Sequence, residues 1–183
     1  VLSAIDRLVF QHYGLDEGDV AIVQDTVHHV VPARQPRRNA GLQSIWAPAN
    51  SSQRADYAAM LCKALSLHFR MPVKASLAAR STDVAVLKLT IGDHVASYTE
   101  DSSGEFNDFL ESIASKLPID LPGNVQLIPD LRLIVDRDMY LVKPTALRHW
   151  LRSTALADAE QIAAEFVAAA ARRGQEGVVH AGG

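Results

Sequence analysis

The chain has 183 residues, 48% hydrophobic and 21% charged, which gives enough apolar material for one core and excludes global disorder. Its 18 Lys and Arg against 21 Asp and Glu leave a net charge of -3, which excludes a globally cationic nucleic-acid binder but allows a local basic patch. The single cysteine, Cys62, excludes an internal disulfide and a multi-cysteine zinc site, and it reads as a small buried residue on a helix.

Residues 1–31 read as a helical pair. Ser3 with Asp6 is a weak capping signal, Ile5, Leu8, Val9 and His12 follow at helical spacing, and Gly14 stops the run. Asp16 caps the second helix, whose Val20, Val23, Val27 and Val30 give one apolar face. The segment is acidic, with five carboxylates against Arg7 alone. Residues 32–50 read as a basic, proline-marked linker carrying Arg34, Arg37 and Arg38, with Ile45 and Trp46 as anchors.

From 51 to 174 the pattern is that of an α+β domain: an antiparallel sheet of about five strands with helices packed on it. Ser51 or Ser52 starts a helix to about Arg70, with Tyr57, Leu61, Ala64, Leu65 and His68 as its stripe. Val73, Ala75, Leu77 and Ala79 alternate like a half-buried strand, and 84–91 is a central strand. Gly92-Asp93 predicts a hairpin into a strand near His94–Tyr98. A helix follows from Ser103 with Phe106, Phe109, Leu110 and Ile113 on one face, then a short apolar piece at Val125–Ile128. A second hairpin joins Leu131–Asp136 to Met139–Val142, and Pro144 opens a short helix with Leu147, Trp150 and Leu151. Ser153 or Thr154 caps the last helix, which turns Ala159, Ile162, Ala163, Phe166 and Ala170 inward and ends at Gly174. Residues 175–183 read as a flexible tail.

A search for chemistry finds little. There is no glycine-rich phosphate loop, no nucleophile elbow and no metal-binding His spacing; the adjacent His28 and His29 point about 100° apart on a helix and do not chelate one ion. The expectation is one exposed and one packed, with His68 a core or boundary residue. No catalytic, cofactor-binding or metal-ligating residue is assigned. A metal-dependent nuclease would have to use Asp130, Asp136 or Asp138 with Lys143, but the second acid of that pattern is missing before the lysine. What remains is basic: Arg34, Arg37 and Arg38 in the linker, and Lys143, Arg148 and Arg152 downstream. Arg148 and Arg152, four apart, predict a small cationic ridge for DNA or an acidic partner.

Two stretches carry a resemblance. One is Ile5–Asp19, with its Tyr13-Gly14-Leu15 turn between an aspartate-bearing helix and an acidic one. The other is Tyr140-Leu141-Val142-Lys143-Pro144, followed by Arg148-His149-Trp150-Leu151-Arg152 and Ala155-Leu156-Ala157-Asp158-Ala159. Both resemble the C-terminal parts of large bacterial N6-adenine DNA methyltransferases of restriction-modification systems. The family's Asn-Pro-Pro-Tyr/Phe motif and its S-adenosylmethionine loop are absent here, so no catalytic or cofactor residue carries over. The resemblance implies an accessory domain whose partners are DNA, the rest of a methyltransferase chain or another subunit, with S-adenosylmethionine bound by an upstream domain. Val1-Leu2-Ser3 has neither an initiator Met nor a signal-peptide pattern, which reads as the tail of a longer chain. With no apolar run long enough for a membrane span, the expectation is a cytoplasmic protein. Two further readings stand beside it: an independent protein-interaction module, in which the acidic helical pair docks on another chain, and the nuclease above.

Overall fold

The computed structural model describes residues 2–35, 43–92, 97–100, 108–109, 111–112, 131–135 and 138–179. Val73–Arg80 (β1) and Val84–Ile91 (β2) form an antiparallel hairpin. Tyr98–Thr99 (β3), Arg132–Val135 (β4) and Asp138–Pro144 (β5) complete an open five-stranded sheet in the order β3-β1-β2-β5-β4. The α+β architecture expected from the strand pairs is therefore the observed one.

One pairing differs. β3 runs parallel to β1, with Ala75 opposite Tyr98, rather than returning as the antiparallel partner of β2. Both edges of β2 are already occupied, by β1 along Val73–Arg80 and by β5 along Asp138–Pro144, so a third strand joins the far side of β1. Residues 93–96, where the turn was expected, lie outside the described residues, as does the Val125–Ile128 piece. Of the helix expected after Ser103, residues 108–109 and 111–112 are described and helical.

Strand parity sorts the core. Ala75, Leu77, Ala85, Leu87, Leu89, Met139 and Leu141 face one side and pack with the helices, while Val86, Tyr140 and Val142 face the other with Phe109. A register shift between Leu77 and Ala79 turns Ala79 to the second side, breaking the simple alternation of β1.

The helical layer comes from Ser51–Phe69 (α4) and Arg152–Val179 (α5). Asn50, one residue earlier than expected, caps α4: its side chain accepts the Gln53 N–H, and Gln53 accepts the Asn50 N–H in return. Tyr57, Leu61 and Leu65 are buried as the stripe predicts. His68 is exposed instead of a core or boundary residue, because the last turn packs Phe69 against Phe166 of α5. Pro144 ends β5 rather than opening a helix; the short helix is a 3-10 turn at Leu147–His149. α5 continues past Gly174, where its end was expected; an alanine-rich helix absorbs Gly174 and Gly177 at a cost of roughly 1 kcal/mol each.

At the N-terminus, Leu2–His12 (α1) and Glu17–Asp25 (α2) form the expected pair, with Asp16 and Asp19 making a capping box and Gly14 in the left-handed conformation at φ 64°. Ser3 lies inside α1, so it is not its cap. α2 does not stop at Pro32: it passes through a π-helical segment, Thr26–Val30, into Val31–Arg34 (α3). The wider turn lets the chain accommodate the proline, which lacks an N–H and would clash with the carbonyl four residues back in a regular helix. The docked side of α2 is not the expected valine face but Gly18, Ala21 and Asp25, set against α5. No helix among the described residues is long and apolar enough to cross a membrane.

Beneath the helices lies a buried charge. Lys143 has the parity of Met139 and Leu141, so β5 directs it into the core, where it is about 1% exposed. Its ammonium pairs with Asp158 of α5 and sits 4.8 Å from the ring centroid of Tyr57 of α4. The Tyr57 hydroxyl donates to the same Asp158 carboxylate at 2.6 Å. Removing one partner strands the other: Lys143→Met is expected to lower unfolding free energy by about 3–5 kcal/mol. Lys143→Met combined with Asp158→Leu is expected to lose much less, measured as the urea midpoint of the two variants.

Candidate nucleic-acid interface

The chain before α4 runs back along the segment that follows β5. Ala49 N–H donates to Thr145 O at 2.8 Å, Leu147 N–H to Ala47 O at 2.8 Å and Arg148 N–H to Ile45 O at 3.0 Å, with Pro48 bridged to Ala146. Gln43 braces this strip, donating to Pro48 O at 3.0 Å and accepting from Gln53 of α4 at 2.8 Å. The backbone is thus the anchor expected of Ile45 and Trp46.

The Trp46 side chain itself points outward and is 64% exposed. The Arg148 guanidinium lies 4.1 Å from its ring centroid, a cation–π stack. Arg148 Nε also donates to His149 Nε2 at 2.9 Å. An indole, a guanidinium and an imidazole are therefore held together on a surface fixed by main-chain hydrogen bonds. Trp150, by contrast, is buried edge-on to Tyr57, with its indole N–H donating to Pro144 O at 2.7 Å.

The predicted ridge of Lys143, Arg148 and Arg152 does not form. Lys143 is inside the core. Arg148 sits on the 3-10 turn and Arg152 opens α5, so the two are not on one helix. Arg152 turns toward the N-terminal segment, donating to Gln24 at 2.8 Å and lying 3.8 Å from Asp25. Arg34 is exposed at the end of α3, and Arg37 and Arg38 fall outside the described residues. Charge alone does not single out Trp46; an aromatic in a proline-marked segment is its signal.

Next to Arg152, buried Asp25 of α2 accepts the Ser153 N–H at 2.7 Å. It does for α5 what Ser153 or Thr154 was expected to do, satisfying a free N–H of the first turn from another helix. His29 is half-buried beside it and His28 exposed, as the adjacent pair predicted. Burial pulls the His29 imidazole below its usual value of 6.5, offset by Asp25 and reinforced by His28 and Arg152.

Among the described residues, the sequence's candidate catalytic groups, Cys62 and the Asp138–Lys143 pair, do not come together. Burial pushes the Cys62 thiol up to about 12, which keeps it protonated. Asp138 accepts from Thr90 Oγ1 at 2.7 Å and pairs with Lys88 at 2.7 Å, holding that ammonium above its usual range. It stands at the opposite end of β5 from Lys143, on the order of 16 Å along the strand. Asp130 and Asp136 lie outside the described residues. Among the described residues no three His, Cys, Asp or Glu side chains gather in a way that could hold a metal ion. No family model, curated protein or solved structure matches the chain.

Because the folded chain disfavours protonated His29, that residue's contribution to stability is full above about pH 6.5 and is lost as the pH falls toward its lowered folded value. His29→Gln is expected to flatten the loss of stability between about pH 7 and pH 5, measured by urea unfolding at each pH.

Proposed function

We propose that the chain is a non-catalytic accessory domain of a DNA-modification or restriction-associated protein, and that Trp46, Arg148 and His149 form its DNA contact. The exposed indole stacked by a guanidinium carries this reading. An aromatic face stacks on any unpaired base, and the neighbouring cation neutralises a phosphate. The overall charge of -3 gives no long-range attraction to a polyanion, so contact is local and favours bases that are already unstacked over an intact duplex.

The resemblance of Ile5–Asp19 and Tyr140–Ala159 supports the class of the parent protein, an adenine-specific methyltransferase. In that setting S-adenosylmethionine and the reacting adenine belong to another domain, and this one positions DNA or a subunit in the cytoplasm. The nuclease reading gains no support from the separation of Asp138 and Lys143.

Fluorescence anisotropy with a labelled short oligonucleotide, single-stranded and duplex, at two salt concentrations tests the assignment. Single strands are expected to bind more tightly. Trp46→Ala is expected to weaken that binding by roughly 5- to 100-fold, the size of one lost base stack. Arg148→Ala is expected to reduce the salt slope by about 0.7, one phosphate contact on a single strand. Arg152→Ala, which faces Gln24 and Asp25, leaves binding unchanged. Absence of salt-sensitive binding to either oligonucleotide removes the DNA assignment.

A further inference from the structure

Between α1 and α2 the chain holds an open groove of about 700 Å³. The spacing of its lining shows which sides of the helices face each other. Asp6, Arg7, Phe10 and Gln11 share one face of α1, and Glu17, Val20, Gln24 and His28 share one face of α2 and its continuation. The turn between them adds Leu15 and Asp16. Phe10, Leu15 and Val20 thus form an apolar floor toward the closed end, and all three are half-buried. Phe10 is the one residue between 4 and 12 that is not exposed, so the floor is where α1 meets the rest of the hairpin.

The walls are acidic. Asp6, Asp16 and Glu17 line the groove against Arg7 alone, and Asp19 stands beside Asp16 in the capping box. The positive end of α2 offsets only about half a charge of this. Glu17 pairs with Lys63 of α4, but both side chains are exposed, and a pair of that kind holds its members weakly. Such a groove repels a polyanion or a second copy of itself and attracts a cation, while its floor takes apolar side chains. A basic amphipathic segment brings both. Helices and a turn line the groove, not a strand edge, so an extended segment would find no main-chain pairing there, whereas a helix satisfies its own backbone. From Glu17 to His28 the groove runs roughly 16 Å, about three turns of a partner helix. α1, at 11 residues, is too short to be stable alone in water, so an occupant packed on Phe10 also secures α1.

We propose that this groove docks a basic amphipathic helix of another protein, with apolar residues on Phe10, Leu15 and Val20 and cations beside the three carboxylates. The probe is a fluorescent Leu–Lys peptide with leucines at helical spacing, titrated with the full chain at low and high salt. Two controls share its length: a scrambled Leu–Lys peptide and a Leu–Glu peptide of the same spacing. The Leu–Lys helix is expected to bind at least about tenfold more tightly than either control. Phe10→Ala and Val20→Ala are each expected to weaken it about tenfold. Asp6→Asn with Asp16→Asn, the second keeping a capping side chain, is expected to weaken it about two- to fivefold and to flatten its salt dependence. Trp46→Ala, on the proposed DNA contact, leaves peptide binding unchanged, so the two readings fail separately. Should Phe10→Ala unfold α1, Val20→Ala decides, since alanine keeps the helix. Equal binding of the scrambled or Leu–Glu peptide, no binding at all, or binding unmoved by Val20→Ala overturns the proposal.

Discussion

An ammonium enclosed in an apolar interior governs how the layers of this protein meet. Lys143 reaches the core because β5 alternates, and a buried charge of that kind is tolerated only with a partner of opposite sign. Asp158 supplies it from α5, and Tyr57 completes the carboxylate's hydrogen bonding from α4. One strand and two helices are therefore tied at a single point, with Trp150 packed against Tyr57 alongside. Apolar contact between sheet and helices tolerates sliding; a shared carboxylate does not, since a slip of one turn would strand both ions. The pair fixes register among layers whose facing surfaces are largely Ala, Leu and Val.

A second polar joint sets the N-terminal helices. Asp25 reaches from α2 to the half-buried first turn of α5, where free N–H groups and the positive end of the helix dipole favour a carboxylate. The side of α2 that docks is small, Gly18 and Ala21, which lets the helices approach closely. Choosing that side commits the valine face to solvent. The exposure of Val23, Val27 and Val30 is a consequence of docking through a carboxylate and two small residues instead of through the most apolar face.

Much of this architecture is written in local patterns. The capping box at Asp16, the alternation in β1, the continuous run of β2 and the β4–β5 hairpin all follow from neighbours in sequence. What misled was long-range. Nothing near Ser153 announces that its cap comes from residue 25, and nothing near Tyr98 announces a parallel partner in β1. Lys143 is the instructive case. Its place two residues after Leu141 put it on the core face by period alone, yet its charge suggested the surface; strand parity outranks residue type when a partner exists to neutralise the charge. Trp46 erred the other way. An indole suggests burial, but the backbone ladder to Thr145, Leu147 and Arg148 does the anchoring and leaves the ring outside. The candidate site was thus half legible: Arg148 by charge, Trp46 only through a pairing between residues a hundred positions apart.

The size of one exposed indole sets a physical limit on the proposed contact. A single indole with one guanidinium on a chain of net charge -3 can supply only a few kcal/mol toward a nucleic acid, too little for tight binding by itself. On the proposed reading such a contact selects bases that are already unstacked, because opening an intact duplex costs a few kcal/mol per base, about as much as one stack returns.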